Sequence, residues 1–153
     1  YIDGAVKHLK EHALKESDQK CATYVREAIE KGGKVILKRH PKSAWEYNPY
    51  LDDYFTKLTP EEMKNYSPQK GDIAVFRALV DNHKDGHMQM YSGDKPNKKG
   101  HWISDYVQPE FLGRTKITVY SIKQIQRILL SIVQKTGNQN PRRLINPFSN
   151  SSA

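Results

Sequence analysis

The sequence predicts an α+β domain, with helices first and a meander of antiparallel strands after them. Three observations predict it. Apolar residues recur at helical spacing through the first thirty or so positions. From residue 71 the spacing changes to the alternation of strands. Between these regions, Pro41, Pro49, Pro60 and Pro68 punctuate an aromatic, irregular stretch. At 153 residues the chain can bury a sizeable single core. A single domain is expected over 1–135, with a flexible, Asn-, Pro- and Ser-rich tail over 136–153.

The elements follow in order. Residues 3–16 read as an amphipathic helix with Val6, Leu9, Ala13 and Leu14 near one face. Ser17 and Asp18 offer an N-cap for a second helix, whose stripe is Cys21, Ala22, Val25, Ala28 and Ile29; Gly32 and Gly33 stop it. A short helix is expected around 43–55, interrupted near Pro49 and anchored by Trp45, Tyr47, Tyr50, Tyr54 and Phe55. Thr59 followed by Pro60, Glu61 and Glu62 is a helix start, because Pro suits the first position and the acids suit the dipole. Strands are expected at 72–76, 87–91, 101–107 and 117–120, with a polar loop at 77–86 and a hairpin loop at 92–100. A last helix is expected at 122–133, with Ile122, Ile125, Leu129, Ile132 and Val133 as its apolar face.

Composition narrows the function classes. No apolar run is long enough to span a membrane. One cysteine can form neither an internal disulfide nor a Cys-rich zinc site. The net charge of +8 suits a polyanionic partner such as nucleic acid, anionic lipid or wall polymer, or serves solubility alone. The first residue is Tyr, so a processed product or a piece of a longer chain is expected, with any signal peptide outside it.

Cys21 is the residue whose placement points to chemistry. A thiol becomes nucleophilic when its proton is lost, and a helix N-terminus or a nearby imidazole favours that loss. The same residue also fits a buried free cysteine acting as a small hydrophobe. Six histidines compete as its base. His8 and His12 sit one turn apart with no third metal ligand in view, so a solvated face is expected there. His40 and His83 fall in loops, and His101 opens a strand. His87 follows Gly86 at the start of an alternating run, where a rigid base is well placed. A third polar group commonly orients such an imidazole. Asp105 is favoured, because a carboxylate among apolar neighbours has little structural purpose, and Ser104 is held in reserve. The oxyanion contributors are expected to be the Cys21 backbone N–H and, as a weaker assignment, Gln19; Trp45 is a weak substrate-binding candidate.

The segments KCATYVREAIEKGG (20–33), SAWEYNPYLDDYF (43–55), QKGDIAVF (69–76), GHMQMYSG (86–93) and HWISDYVQ (101–108) resemble the papain-like bacterial amidases of the NlpC-type and CHAP families. The resemblance covers most of 18–108 in the right order, and cysteine before histidine separates it from the permuted, lipid-acting relatives. It implies a papain-like fold, with the nucleophile helix on a small antiparallel sheet, and hydrolysis of amide bonds in peptidoglycan peptides. Cys21 and His87 match the family's catalytic positions. Lys20 stands where many CHAP members have Gln. Stand-alone domains of this kind resemble interbacterial amidase toxins or phage lysins. A toxin acts on the wall after secretion or delivery to the periplasm, and its producer needs an immunity protein. No cofactor, no metal and no nucleic-acid partner are expected. Two other readings stay open: a non-catalytic basic module that grips wall glycan or another polyanion, and the same chemistry on a protein or thioester.

Overall fold

The computed structural model describes residues 1–77, 85–108 and 117–121. The expected helix at 122–133, the tail and most of the polar loop, His83 included, lie outside the described residues.

Helix α1 runs Ile2–His12 and buries Ala5, Val6 and Leu9. It stops short of the expected residue 16. The Leu14 N–H instead donates to the Asp105 carbonyl at 2.7 Å, and Leu14 bridges Tyr106 in parallel. Leu14 is therefore left exposed and off the helical face. Helix α2 runs Cys21–Glu27 and continues as a π-helical turn over Ala28–Gly32. It crosses α1 closely at Gly4 and Gly32, where a Cβ on either glycine would strike the other's carbonyl. Neither Ser17 nor Asp18 caps α2; the capping position is Lys20, which makes no side-chain cap.

The aromatic stretch forms a short 3₁₀ turn, Ala44–Tyr47, followed directly by α3, Asn48–Leu51. Pro49 lies in the first turn of α3 rather than interrupting a helix, as its fixed φ and missing N–H permit. Tyr47, Tyr54 and Phe55 are buried, whereas Trp45 is exposed. The expected start at Thr59 forms as α4, Pro60–Met63, with a full capping box between Thr59 and Glu62.

Among the described residues the sheet has five strands: β1 Thr56–Lys57, β2 Ile73–Phe76, β3 His87–Tyr91, β4 Trp102–Ile103 and β5 Ile117–Ser121. Their spatial order is β1-β5-β2-β3-β4, with every described pairing antiparallel. β2, β3 and β4 form the expected meander. β5 departs from it, returning to the other side of β2, and β1 pairs with it at the edge. Ile73, Val75, Met88, Met90 and Ile103 pack in one core with Val6, Leu9, Val25 and Ile29 of the helices. Each such side chain removed from water is worth about 1.5–3 kcal/mol. Ala74, Phe76, Tyr91, Trp102 and Val119 form the second face, partly covered by Leu58, Met63 and Tyr66.

The expected strand at 101–107 is cut to Trp102–Ile103. After Ile103 the chain turns tightly: Ser104 N–H donates to the Tyr106 carbonyl at 3.0 Å, and Ile103 bridges Val107. Met90 stands opposite Ile103, so a continued β4 would set residue 105 opposite Met88. The turn removes that stretch of strand and opens a notch at the edge of β3.

Candidate active site

The notch is where Cys21 arrives. Alternation along β3 sends every second N–H to each neighbour. The Tyr91 N–H donates toward β2, to the Asp72 carbonyl at 2.9 Å, so the Met88 N–H points to the β4 side. With β4 ended, that N–H donates to the Cys21 sulfur instead. The sulfur thus sits one peptide bond from His87, at the first residue of α2.

Burial pushes the Cys21 thiol up, and the nearby Asp105 carboxylate adds to this. The backbone N–H groups of Met88, Ala22 and Cys21 act the other way. Burial wins, and the thiol lies above its ordinary value. The sulfur is nonetheless ringed by donors that favour negative charge when it comes.

Asp105 is fully buried, and its carboxylate serves the loop that delivers Cys21. It accepts from the Asp18 N–H at 2.6 Å, the Lys20 N–H at 3.2 Å and the Ser17 hydroxyl at 3.0 Å. The Ser104 hydroxyl donates to its other oxygen at 3.0 Å. Burial raises this carboxyl, but the hydrogen bonds together outweigh burial and hold it below the usual carboxylate range. The expectation from sequence put Asp105 on the imidazole; its hydrogen bonds go to the 17–20 loop and Ser104 instead. A carboxylate at the start of α2 also complements the helix dipole.

His87 opens β3 beside Phe76, their ring centroids 5.7 Å apart. Its Nε2 donates to the Gln89 amide oxygen at 3.1 Å. Gly86 holds φ at +70°, and a Cβ there would strike the Phe76 carbonyl, so glycine is required for the chain to enter β3 this closely. Trp45 stands over this entry. Its backbone N–H donates to the Asp85 carbonyl at 3.4 Å, and Arg77 lies 5.5 Å from its ring centroid.

The weaker candidates are scattered. Gln19 is exposed, at φ +58°, with its N–H donating to the Ser17 hydroxyl at 3.2 Å. Ser104 is buried between Asp105 and the Gln108 amide, which donates to it at 2.6 Å. His8 and His12 stack at 4.0 Å, and among the described residues no cluster of His, Cys, Asp or Glu could hold a metal. His40 is not merely a loop residue: it pairs with Glu30 at 2.9 Å and lies 3.2 Å from Arg26.

Sequence reasoning missed three features: the Met88 N–H on the sulfur, the Gln89 amide on the imidazole, and buried Tyr47, which accepts from Arg26. Only Gln89 carried a signal, since position i+2 on a strand shares a face with position i.

No protein-family model matches the chain, and no curated protein does. Solved structures do. One is a chain of the type VI native effector–immunity complex Tae3–Tai3 from Ralstonia pickettii. It is 30% identical with a TM-score of 0.65, over 80% of this chain and 98% of that one. Its selenomethionine counterpart, from the same organism, is 32% identical with a TM-score of 0.63, over 78% and 100% of the two chains. The chain belongs to the Tae3 family. The match to Tae3 spans the whole of the solved chain, and with it the α+β architecture with its antiparallel sheet. Among the described residues no helix is long and apolar enough to cross a membrane.

Proposed function

We propose that this protein is a type VI effector that cleaves amide bonds in peptidoglycan peptides, by cysteine acyl transfer on a papain-like scaffold. The observation that carries the reading is the Cys21 sulfur, at a helix start, held by the Met88 N–H one peptide from His87. Membership of the Tae3 family supports the effector role. Delivery to the periplasm of target cells and an immunity protein in the producer follow from it.

In the proposed mechanism the thiol proton moves to His87 as the sulfur attacks the scissile carbonyl. The raised thiol makes a thiolate formed in advance unfavourable, so transfer and attack are coupled. The developing oxyanion is met by backbone N–H groups at the start of α2. The imidazolium gives its proton to the leaving amine. The imidazole then takes a proton from water, whose oxygen attacks the thioester carbonyl and releases the acid and the free thiol. Asp105 holds the 17–20 loop and so positions Cys21. The exposed Trp45 and Arg77 flank the approach to His87 as binding groups for substrate.

Purified protein incubated with isolated sacculi tests this. New amine and carboxyl ends, located by mass spectrometry, are expected with wild type. With Cys21→Ala they fall by on the order of 10⁴-fold or more at unchanged far-UV circular dichroism. Full activity in Cys21→Ala removes the nucleophile, and intact sacculi with wild type remove the substrate.

A further inference from the structure

We infer that Gln89 is the residue that orients the catalytic imidazole; this rests on the proposed role of His87. Gln89 is fully buried, on the sheet face shared with Ala74, its register partner, and with Phe76 and Tyr91. An amide taken out of water is costly unless its hydrogen bonds are replaced. Here the oxygen accepts from His87 Nε2 at 3.1 Å, while the amide nitrogen has no partner among the described residues. A methionine or leucine of similar volume would fill the site without that cost. Retaining a half-satisfied amide makes sense when its single bond serves the imidazole.

The bond also assigns the tautomer. An amide oxygen can only accept, so His87 carries its proton on Nε2, and Nδ1 is the basic nitrogen that takes the thiol proton. Register strengthens the geometry. His87 and Gln89 are two apart on one short strand, both paired to β2, so the ring and its holder move as one body. Asp105, committed to the 17–20 loop, does not compete for this role. The two positioning residues are thereby divided: Asp105 sets the sulfur, and Gln89 sets the ring.

The test begins with the wild-type chain. ¹⁵N–¹H correlation of the neutral His87 ring is expected to show the proton on Nε2. A neutral ring protonated on Nδ1 overturns the assignment and needs no variant. On sacculi, Gln89→Met is expected to lower kcat by roughly 10²-fold with KM little changed, and to redistribute the His87 proton over both nitrogens. Gln89→Glu is expected to keep the Nε2–H and to move the acid limb of the kcat/KM profile upward, because a carboxylate favours the imidazolium. Wild-type kcat and an unshifted profile in both variants would reduce Gln89 to a packing residue. Absence of any wild-type hydrolysis strikes the reading of the site instead, and leaves the ring measurement to judge Gln89 by itself.

Discussion

Two helix starts in this molecule are built in opposite ways. α4 begins with its own capping box: the Glu62 N–H donates to the Thr59 hydroxyl at 3.1 Å, and the Thr59 N–H donates back to the Glu62 carboxylate at 3.2 Å. α2 begins with no cap from its own sequence, and a carboxylate 85 residues further along accepts the N–H of its capping residue, Lys20, and that of Asp18 just before it. The first start is exposed, local and remote from the site. The second is tied to the sheet by a long-range carboxylate and opens on the chain's one cysteine. A local cap stabilises a helix wherever it lies. A distant cap ties the helix start to one place on the sheet, and that place is the notch where the sulfur meets Met88. The difference shows which helix start had to be fixed in space and which only had to form.

The largest expected effect breaks the second start. Asp105→Ala strands the N–H groups of Asp18 and Lys20 and the hydroxyls of Ser17 and Ser104. Each buried donor left unpaired costs about 1–3 kcal/mol, moderated where water enters. A loss of about 3–4 kcal/mol is expected by urea denaturation, with activity on sacculi falling beyond what the unfolded fraction explains. A loss under about 1 kcal/mol would show that the 17–20 loop holds its shape without this carboxylate.

The same carboxylate gives a pH signature. Its folded value lies below the usual range, so the unfolded chain binds the proton more tightly. Its contribution to stability is therefore complete above the unfolded carboxylate value of about 4 and is lost as pH falls through the folded one. Thermal midpoints measured from pH 7 downward should drop more steeply in wild type than in Asp105→Asn, whose amide does not titrate. Parallel curves would mean that other acids dominate the acid loss.

What the sequence disclosed divides along the same line. Thr59-Pro60-Glu61-Glu62 was legible because all its physics lies within four residues. The strands at 72–76 and 87–91 were legible from alternation, and β3 has the expected bounds. The placement of Cys21 in a first turn was right, although the reason, an Asp18 cap, was not. The break in β4 was hidden because Ser104 and Asp105 alternate like strand residues; only the bonds of Asp105 to the 17–20 loop show why the chain leaves the ladder. β1, two residues long, had no periodicity to detect, and β5 needed tertiary context to find its neighbour. Asp105 was expected on the imidazole because a carboxylate between apolar neighbours had no structural use in view; its hydrogen bonds give it one, and which groups it serves is a fact of three-dimensional position.

The smallest expected effect tests the first start. Thr59→Ala removes the hydroxyl that accepts from Glu62 and leaves Asp105, Cys21 and β3 untouched. A cap of this kind is worth about 1 kcal/mol, and this one is exposed, so the loss should not exceed that figure. Hydrolysis of sacculi at a temperature well below the unfolding midpoint should match wild type, because α4 packs only Met63 toward the second face of the sheet and holds no group near the sulfur. The contrast with Asp105→Ala then lies in the ratio of activity lost to stability lost, near zero at one helix start and large at the other. An activity loss in Thr59→Ala comparable to that in Asp105→Ala would mean that the second face of the sheet, through Phe76 and its contact with the His87 ring, transmits strain to the imidazole.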